Sequence, residues 1–237
     1  AKKSLFDGLT PSAFALTNAD ARHHETMVAG TRARTVTYGT QQVADHKSRI
    51  IENGWGGLQL HIDGQDLYTR LIGDFNASNL TAVYAVAREL GWDMMETLTH
   101  LSLLNAPDGR MQQIQSKDGN VHAIVDYAHT PDALRKVLET LNAVRQSGSA
   151  AGTTGQESRI LCVVGCGGDR DRTKRPLMGE AAAAHADVVL VTDDNPRSED
   201  PAVIRAAVML GCPDATEVGD RAEAILRKAR DIHALSR

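Results

Sequence analysis

The sequence predicts an α/β protein whose C-terminal part is a doubly wound, mainly parallel domain, and three observations carry that expectation. After Pro107, apolar strands alternate with amphipathic helices. Those strands are apolar nearly throughout, as strands are in a parallel sheet covered on both faces. Each of three strands also runs directly into a long polar loop, on the side where such sheets collect helix N-termini and bind ligands.

Taken in chain order, the first part is β-rich. Short strands are expected at Ala13 to Thr17 and Thr35 to Tyr38, and a hairpin joins Leu58 to Ile62 with Leu67 to Ile72 around Asp63-Gly64-Gln65-Asp66. Leu80, Val83, Tyr84, Ala87 and Leu90 then form a helical core stripe, with Ser78 or Asn79 able to cap and Gly91 closing it. A second helical stretch ends before Pro107-Asp108-Gly109. His23-His24 reads as a solvated loop.

After Pro107 the alternation begins with strand Val121 to Val125. Thr130-Pro131-Asp132 supplies a cap, a proline at the first helical position and an acid in the first turn, and Leu134, Val137, Leu138, Leu141 and Val144 form one stripe. Gln146 to Glu157, rich in Gly, Ser, Ala and Thr without apolar period, reads as an exposed connection. Strand Ile160 to Val164 leads into Gly165-Cys166-Gly167-Gly168, followed by a helix from Pro176 to Ala186 and strand Val188 to Thr192. A helix opening at Asp200-Pro201, a short strand at Ala215 to Val218 and a last helix from Asp220, with Ala222, Ile225, Leu226 and Ala229 on one face, complete a Rossmann-like domain.

Composition narrows the function. The 237 residues are enough for one large domain or two modest ones. The formal charge of −4, from 26 basic and 30 acidic residues, supplies no basic field for nucleic acid or an anionic membrane. Small-molecule or protein partners are expected instead. Cys162, Cys166 and Cys212 are too few for a disulfide framework and fit a reducing compartment, so the cytoplasm is the expected location. The most apolar stretch, Ala181 to Val191, is interrupted by His185 and Asp187, short of the roughly 18 apolar residues of a membrane span. Ala1-Lys2-Lys3 leads into no apolar signal region.

The chemistry is expected where the three loops gather on one edge: Asp126 to Thr130, Asp169 to Arg175 after the glycines, and Asp193 to Asp200. Arg170 stands where a dinucleotide-binding GxGxxG would place its third glycine, and no GxxxxGK[ST] occurs. Arg170 and Arg197 can each grip a carboxylate through two parallel N–H bonds, while Asp194 and Asn195 can receive an ammonium. Together they suit a zwitterionic amino acid better than a plain anion. Cys162 and Cys166, without a second pair, read as buried thiols rather than zinc ligands.

With those residues assembled, the chain resembles the Mur ligases, in their diaminopimelate-adding branch. The series is Ala1-Lys2 with Leu5-Phe6-Asp7, Asn18-Ala19-Asp20, Gly73 to Asn76 with Asn79, Gly109-Arg110-Met111, Val125 to Asp132, Gly165 to Asp171 with Lys174-Arg175-Pro176, and Thr192 to Arg197. It spans nearly the whole length in order. The resemblance implies that residues 1–107 are the β-rich remainder of an α/β ATPase central domain and 108–237 the C-terminal domain, truncated at its end, with the UDP-binding domain and the P-loop lying before Ala1. Such a fragment is expected to be weak or inactive alone.

The resemblance also implies a reaction: with ATP and Mg²⁺, meso-diaminopimelate is joined to the D-glutamyl γ-carboxylate of UDP-MurNAc-L-Ala-D-Glu through an acyl phosphate. It implies roles by position. Lys2, carbamylated, is the catalytic metal-side ligand; Asn18 contacts adenine and Asp126 ribose; Arg110 and His129 act near the phosphates. Arg170, Asp194, Asn195 and Arg197 form the diaminopimelate site, with Arg197 selecting it over lysine. Two departures stand out, Ala21 for a second acid after Asn18-Ala19-Asp20 and Gln112 for a glutamate after Arg-Met. A monomer without nucleic-acid or membrane partners is expected. Two alternatives stay open: a non-catalytic amino-acid or nucleotide-binding module, and a Mur-type ligase for L-lysine.

Overall fold

The computed structural model describes residues 2–150 and 158–227, with side chains described outside 148–150. The chain forms two compact units, Ala1–Ala106 and Pro107–Arg237.

In the first unit a five-stranded sheet runs in the order β1 (Phe14–Asn18), β2 (Arg34–Gly39), β3 (His46–Gly54), β4 (Gly57–Ile62), β5 (Gln65–Thr69). The first three strands pair parallel and the last three antiparallel. Short helices α1 (Lys3–Asp7) and α2 (His24–Val28) precede and follow β1, so His24 opens a helix rather than lying in a loop. Helices α3 (Asp74–Glu89) and α4 (Met94–Ser102) follow the sheet. The alternate residues Leu58, Leu60 and Ile62 face Ala77, Leu80 and Tyr84 of α3 and Leu98 and Leu101 of α4 in one core.

Three expectations are corrected here, each for a physical reason. Strand β3 lacks the alternating apolar pattern of a strand because its inward position is a hydroxyl: Ser48 is fully buried and bonds Thr81 of α3 at 2.5 Å, while a register shift between Ile50 and Glu52 turns Ile51 outward. The hairpin turn is only Asp63-Gly64, both with positive φ (48° and 81°), as a two-residue turn of this hand requires, so β5 starts at Gln65 rather than Leu67. Helix α3 starts at Asp74 instead of near Ser78. Gly73 (φ 95°) turns the chain, and Asn53 of β3 accepts from the Gly73 amide at 3.0 Å and donates to Asp74 at 2.8 Å. Its apolar stripe is also narrower than expected, since Val83 and Leu90 are 51% and 63% exposed.

The second unit opens with an antiparallel hairpin, β6 (Gln112–Gln115) and β7 (His122–Val125). This corrects the expectation that Val121 to Val125 begins the parallel sheet. The partner strand, Gln112-Gln113-Ile114-Gln115, carries no apolar alternation by which it could be seen. The parallel sheet has the order β10 (Thr216–Glu217), β9 (Val188–Val191), β8 (Leu161–Val164), and it is flanked by α5 (Pro131–Ala150), α6 (Lys174–His185) and α7 (Pro201–Met209), with 221–227 also helical. Helix α5 runs on through the residues from Gln146 expected as a connection; 151–157, like Ala229, lie outside the described residues.

Both faces of this sheet are covered, which makes it doubly wound. Val189 and Val191 join Leu134, Leu138, Val164, Met178 and Val208 on one side, while Leu190 packs with Val218 and Ala224 on the other. Cys162 and Cys212 are buried in the first cluster, where burial pushes the Cys162 thiol up to about 12. Helices α6 and α7 meet through glycine: a methyl on Gly179 would overlap the Val208 carbonyl oxygen, and one on Gly211 the Pro176 carbonyl oxygen. No helix among the described residues is long and apolar enough to cross a membrane.

Leu60, completely buried, anchors the first core. Leu60→Ala is expected to cost about 2–5 kcal/mol in urea melts followed by the fluorescence of Trp55 and Trp92, both in this unit. Val203→Ala on the exposed side of α7 is expected to stay within about 0.5 kcal/mol.

Candidate functional site

The carboxyl ends of β8 and β9 lie side by side, because the two strands pair in parallel from Leu161 with Val188 to Val164 with Val191. The loops that leave them, 165–173 and 192–200, therefore start as neighbours. Glycine lets them touch: a methyl on Gly168 would overlap the Pro196 carbonyl, and one on Gly165 the Thr192 carbonyl oxygen. None of these glycines is required by its backbone angle, since positive φ falls instead on Asp169 (52°) and Arg197 (51°).

Backbone and side chains then lock the contact. The Gly168 amide donates to the Asn195 carbonyl at 2.8 Å, and Arg197 Nη1 donates to the Gly168 carbonyl. Gly167 leaves room for that guanidinium, since a methyl there would sit 3.0 Å from Arg197 Nη1. The Asp169 carboxylate accepts from Ser198 Oγ at 2.7 Å and from its amide at 3.2 Å, which holds this carboxyl below the usual range. Arg170 follows directly and is exposed.

Behind the tip lies a buried ion pair. Arg175, only 3% exposed, donates from Nη1 and Nη2 to the two oxygens of Glu199 at 3.1 and 2.7 Å. The same carboxylate accepts from the Asp169 amide at 2.6 Å and pairs with Arg172 at 3.1 Å. These donors hold the Glu199 carboxyl down to about 2, the Arg175 bonds foremost. At the base of the second loop, Arg205 bridges Asp193 and Glu217, while Arg221 donates to the Asp193 carbonyl at 3.0 Å and comes within 3.7 Å of Asp194. Asp194, Asn195 and Arg197 are exposed at the rim.

The first loop is built differently. Both oxygens of Asp126 accept backbone amides, from Met111 at 2.8 Å and Ala128 at 2.8 Å, so this carboxylate ties the start of β6 to the end of β7. Met111 is buried with φ 48°, held in that position by the bond. The tie presents three exposed side chains together: the Arg110 guanidinium lies 4.8 Å from the Tyr127 ring centroid, and the His129 ring 5.2 Å from the same ring. Gln112, in place of the acid expected there, bonds Asp108 and the Gly109 amide within its own turn. Ala128 packs on the cluster beneath β8, but β7 pairs with β6 and not with β8, so the three loops do not leave three neighbouring strands as anticipated. The structure brings the Arg170 and Arg197 loops together; His129 contacts Tyr127 instead.

The remaining predicted residues lie in the first unit. Lys2 is exposed just ahead of α1. Asn18 ends β1, where its Oδ1 accepts from the Asp20 amide at 2.9 Å and its Nδ2 reaches Ser78 at 3.4 Å. Asp20 accepts from the amides of Thr40, Gln41 and Gln42 and from Thr40 Oγ1, which outweighs its partial burial and lowers its pKa. Sequence reasoning did not assign roles to Asp20, Tyr127, Arg175 or Glu199. Tyr127 had the best signal, an exposed aromatic between two chosen residues; the Arg175–Glu199 pair, 24 residues apart, had none.

The Mur ligase middle domain matches residues 1–87, and the Mur ligase glutamate ligase domain matches residues 109–234. A UDP-N-acetylmuramoyl-L-alanyl-D-glutamate–2,6-diaminopimelate ligase of Cytophaga hutchinsonii is 43% identical over 230 residues, covering 95% of this chain and 45% of that protein. One of the same name from Rhizobium meliloti is 47% identical over 171 residues, covering 70% of this chain and 32% of that protein. A solved structure bearing that ligase name superposes with a TM-score of 0.60 at 34% identity, over 94% of this chain and 46% of that one. MurF from Acinetobacter baumannii superposes at 0.70 with 18% identity, over 99% of this chain and 48% of that one, a likeness of fold alone. The chain thus spans less than half the length of these relatives.

Two outcomes follow from the loop geometry. Gly168→Ala, which drives a methyl into the Pro196 carbonyl, is expected to destabilise the second unit by about 1–3 kcal/mol in denaturant melts. The Glu199 carboxyl, at about 2 when folded against an ordinary 4.5, contributes stability that is present above the unfolded value and lost as pH falls toward the folded one. Thermal midpoints by circular dichroism are therefore expected to fall across that window, with a shallower slope in Glu199→Gln.

Proposed function

The chain belongs to the Mur ligase family, and from that premise we propose that the protein carrying it is an ATP-dependent amide ligase of peptidoglycan precursor synthesis. Residues 1–107 serve as part of its central ATPase domain and 108–237 as its C-terminal domain. Its substrates in this reading are meso-diaminopimelate and UDP-MurNAc-L-Ala-D-Glu, a choice supported by the names of relatives at 43% and 47% identity. A cytoplasmic monomer acting on small molecules is part of the same proposal.

The proposed reaction has two steps. The γ-phosphoryl group of ATP passes to the D-glutamyl γ-carboxylate, giving an acyl phosphate and ADP. An amine of diaminopimelate then attacks the acyl carbon; the C–N bond forms, the C–O bond to phosphate breaks, inorganic phosphate leaves and the amine gives up a proton. The chain's residues divide this work by chemistry. Asn18 takes adenine with its amide. Asp126 takes ribose, because each oxygen already accepting an amide keeps a second lone pair. Arg110 and His129, gathered on Tyr127, face the phosphates, Arg110 with a charged guanidinium and His129 with a ring nitrogen.

Arg197 grips the distal carboxylate of diaminopimelate, Asp194 and Asn195 receive its ammonium, and Arg170 flanks them. The observation that carries this reading is the Arg197 guanidinium, held by the Gly168 carbonyl over a glycine loop beside an exposed Asp194 and Asn195. A fixed fork next to an acid and an amide is complementary to a zwitterion. The metal is less complete in these residues, since no group of three His, Cys, Asp or Glu among the described residues could hold one. Within this chain Lys2, as its carbamate, is the residue proposed to reach Mg²⁺, which when bound would offset the charge on the transferring phosphoryl group.

Calorimetric titration tests the reading. Meso-diaminopimelate is expected to bind at least tenfold more tightly than L-lysine, and Arg197→Met to remove that preference, the loss of about 1.5–3 kcal/mol of charge-assisted hydrogen bonding. Equal or tighter binding of lysine by the unsubstituted protein would reassign the substrate, and binding heats without ATP-dependent phosphate release by the full-length protein that carries this chain would favour a non-catalytic binding module.

A further inference from the structure

We infer that Arg175 and Glu199 are the positioning pair of the amino-acid site, a buried clamp that never touches the ligand but fixes where Arg197 and Asn195 stand above the glycine loop. The inference rests on the reading of that edge as the amino-acid site.

The pair occupies a junction. Arg175 sits in the first turn of α6, a helix anchored beneath the sheet by Met178 and Ala182. Glu199 lies two residues beyond Arg197, and its carboxylate also takes the Asp169 amide, one residue beyond Gly168. Asp169 in turn holds Ser198, Gly168 holds Asn195, and Arg197 returns to Gly168. The contacts make a closed circuit from α6 through Glu199 to both loop tips and back. Arg175 Nε is buried without a hydrogen-bond partner, so the guanidinium is oriented through its Nη atoms by Glu199.

Keeping the ionised pair together stabilises the fold against its protonated form, but stability alone does not require that the tie be an ion pair. Withdrawing two charges from water offsets much of their attraction, and a well-packed apolar pair of similar volume would often serve as well. What an apolar pair could not do is fix the direction of the Asp169 amide. Two facing residues, Asp169 and Arg197, are held at positive φ by this circuit, and conformations of that kind persist where the surroundings over-determine them. One of the two is the residue proposed to select the substrate.

The test compares Glu199→Gln, which keeps the shape and removes the charge, with Glu199→Asp, which keeps the charge and withdraws it by one methylene. In ATP-dependent phosphate release by the full-length protein that carries this chain, Glu199→Gln is expected to raise KM for meso-diaminopimelate at least tenfold while KM for ATP and kcat change less than threefold; Glu199→Asp is expected to fall between. Hydrogen exchange by mass spectrometry is expected to quicken at least tenfold in 166–169 and 195–199, with peptides of β9 and the rest of α6 unchanged. Unaltered loop exchange overturns the inference whatever the ligand. Faster loop exchange with an unchanged KM for diaminopimelate overturns it too, by reducing the pair to a structural tie. If the unsubstituted protein shows no dependence on diaminopimelate, the functional reading fails separately, and the exchange comparison alone decides whether the clamp sets the loop tips.

Discussion

Two backbones meet at Gly168 and Pro196, and the architecture of the sheet's carboxyl edge depends on there being no side chain between them. Parallel pairing of β8 and β9 brings the loops to the same place, but pairing alone leaves them free to diverge after Val164 and Val191. Contact of amide with carbonyl across the gap turns two flexible connections into one surface. Every other feature of that edge is secondary to it: the Arg197 side chain can lie over the loop because Gly167 is bare, and Asp169 can reach Ser198 because the chains are already touching.

Charge is distributed over this surface in layers. Deepest is the Arg175–Glu199 pair; further out, Arg205 and Arg221 occupy the acid and carbonyl of Asp193 at the loop's base. The rim carries Arg170, Asp194, Asn195 and Arg197, in contact with water. Interior charges thus serve the chain's own geometry, while the exposed ones keep capacity for a molecule from outside. The hairpin of β6 and β7 differs in that Asp126 does both, since each of its oxygens accepts one amide and keeps a lone pair, while Arg110, Tyr127 and His129 are presented outward.

Much of this was legible in the sequence, and the exceptions share a cause. The doubly wound alternation, the capped start of α5 and the glycine loop after β8 are local signals, written in neighbouring residues. Strand β3 is hidden in the sequence because the residue it buries is Ser48, whose hydroxyl pairs with Thr81 on a helix 33 residues later. Helix α3 was placed too late because its first turn is held by Asn53 from across the sheet. The site residues on the rim could be chosen by charge and position, whereas Arg175 and Glu199 could not, since each looks like an ordinary surface residue until the other is brought to it. Topology differs from the sequence's expectation at β7, whose apolar residues suit a parallel strand but which pairs antiparallel with the glutamine-rich β6.

Gly168, Gly179 and Gly211 have in common that the obstacle to a larger residue is main chain: the carbonyls of Pro196, Val208 and Pro176. A crowded side chain can be trimmed by a second substitution elsewhere, but a carbonyl oxygen is the same in all twenty amino acids. Divergence at these positions therefore has no compensating partner to co-vary with. In an alignment they would register as silent constants, and methods that recover contacts from correlated change would be blind to the contacts that shape this edge most.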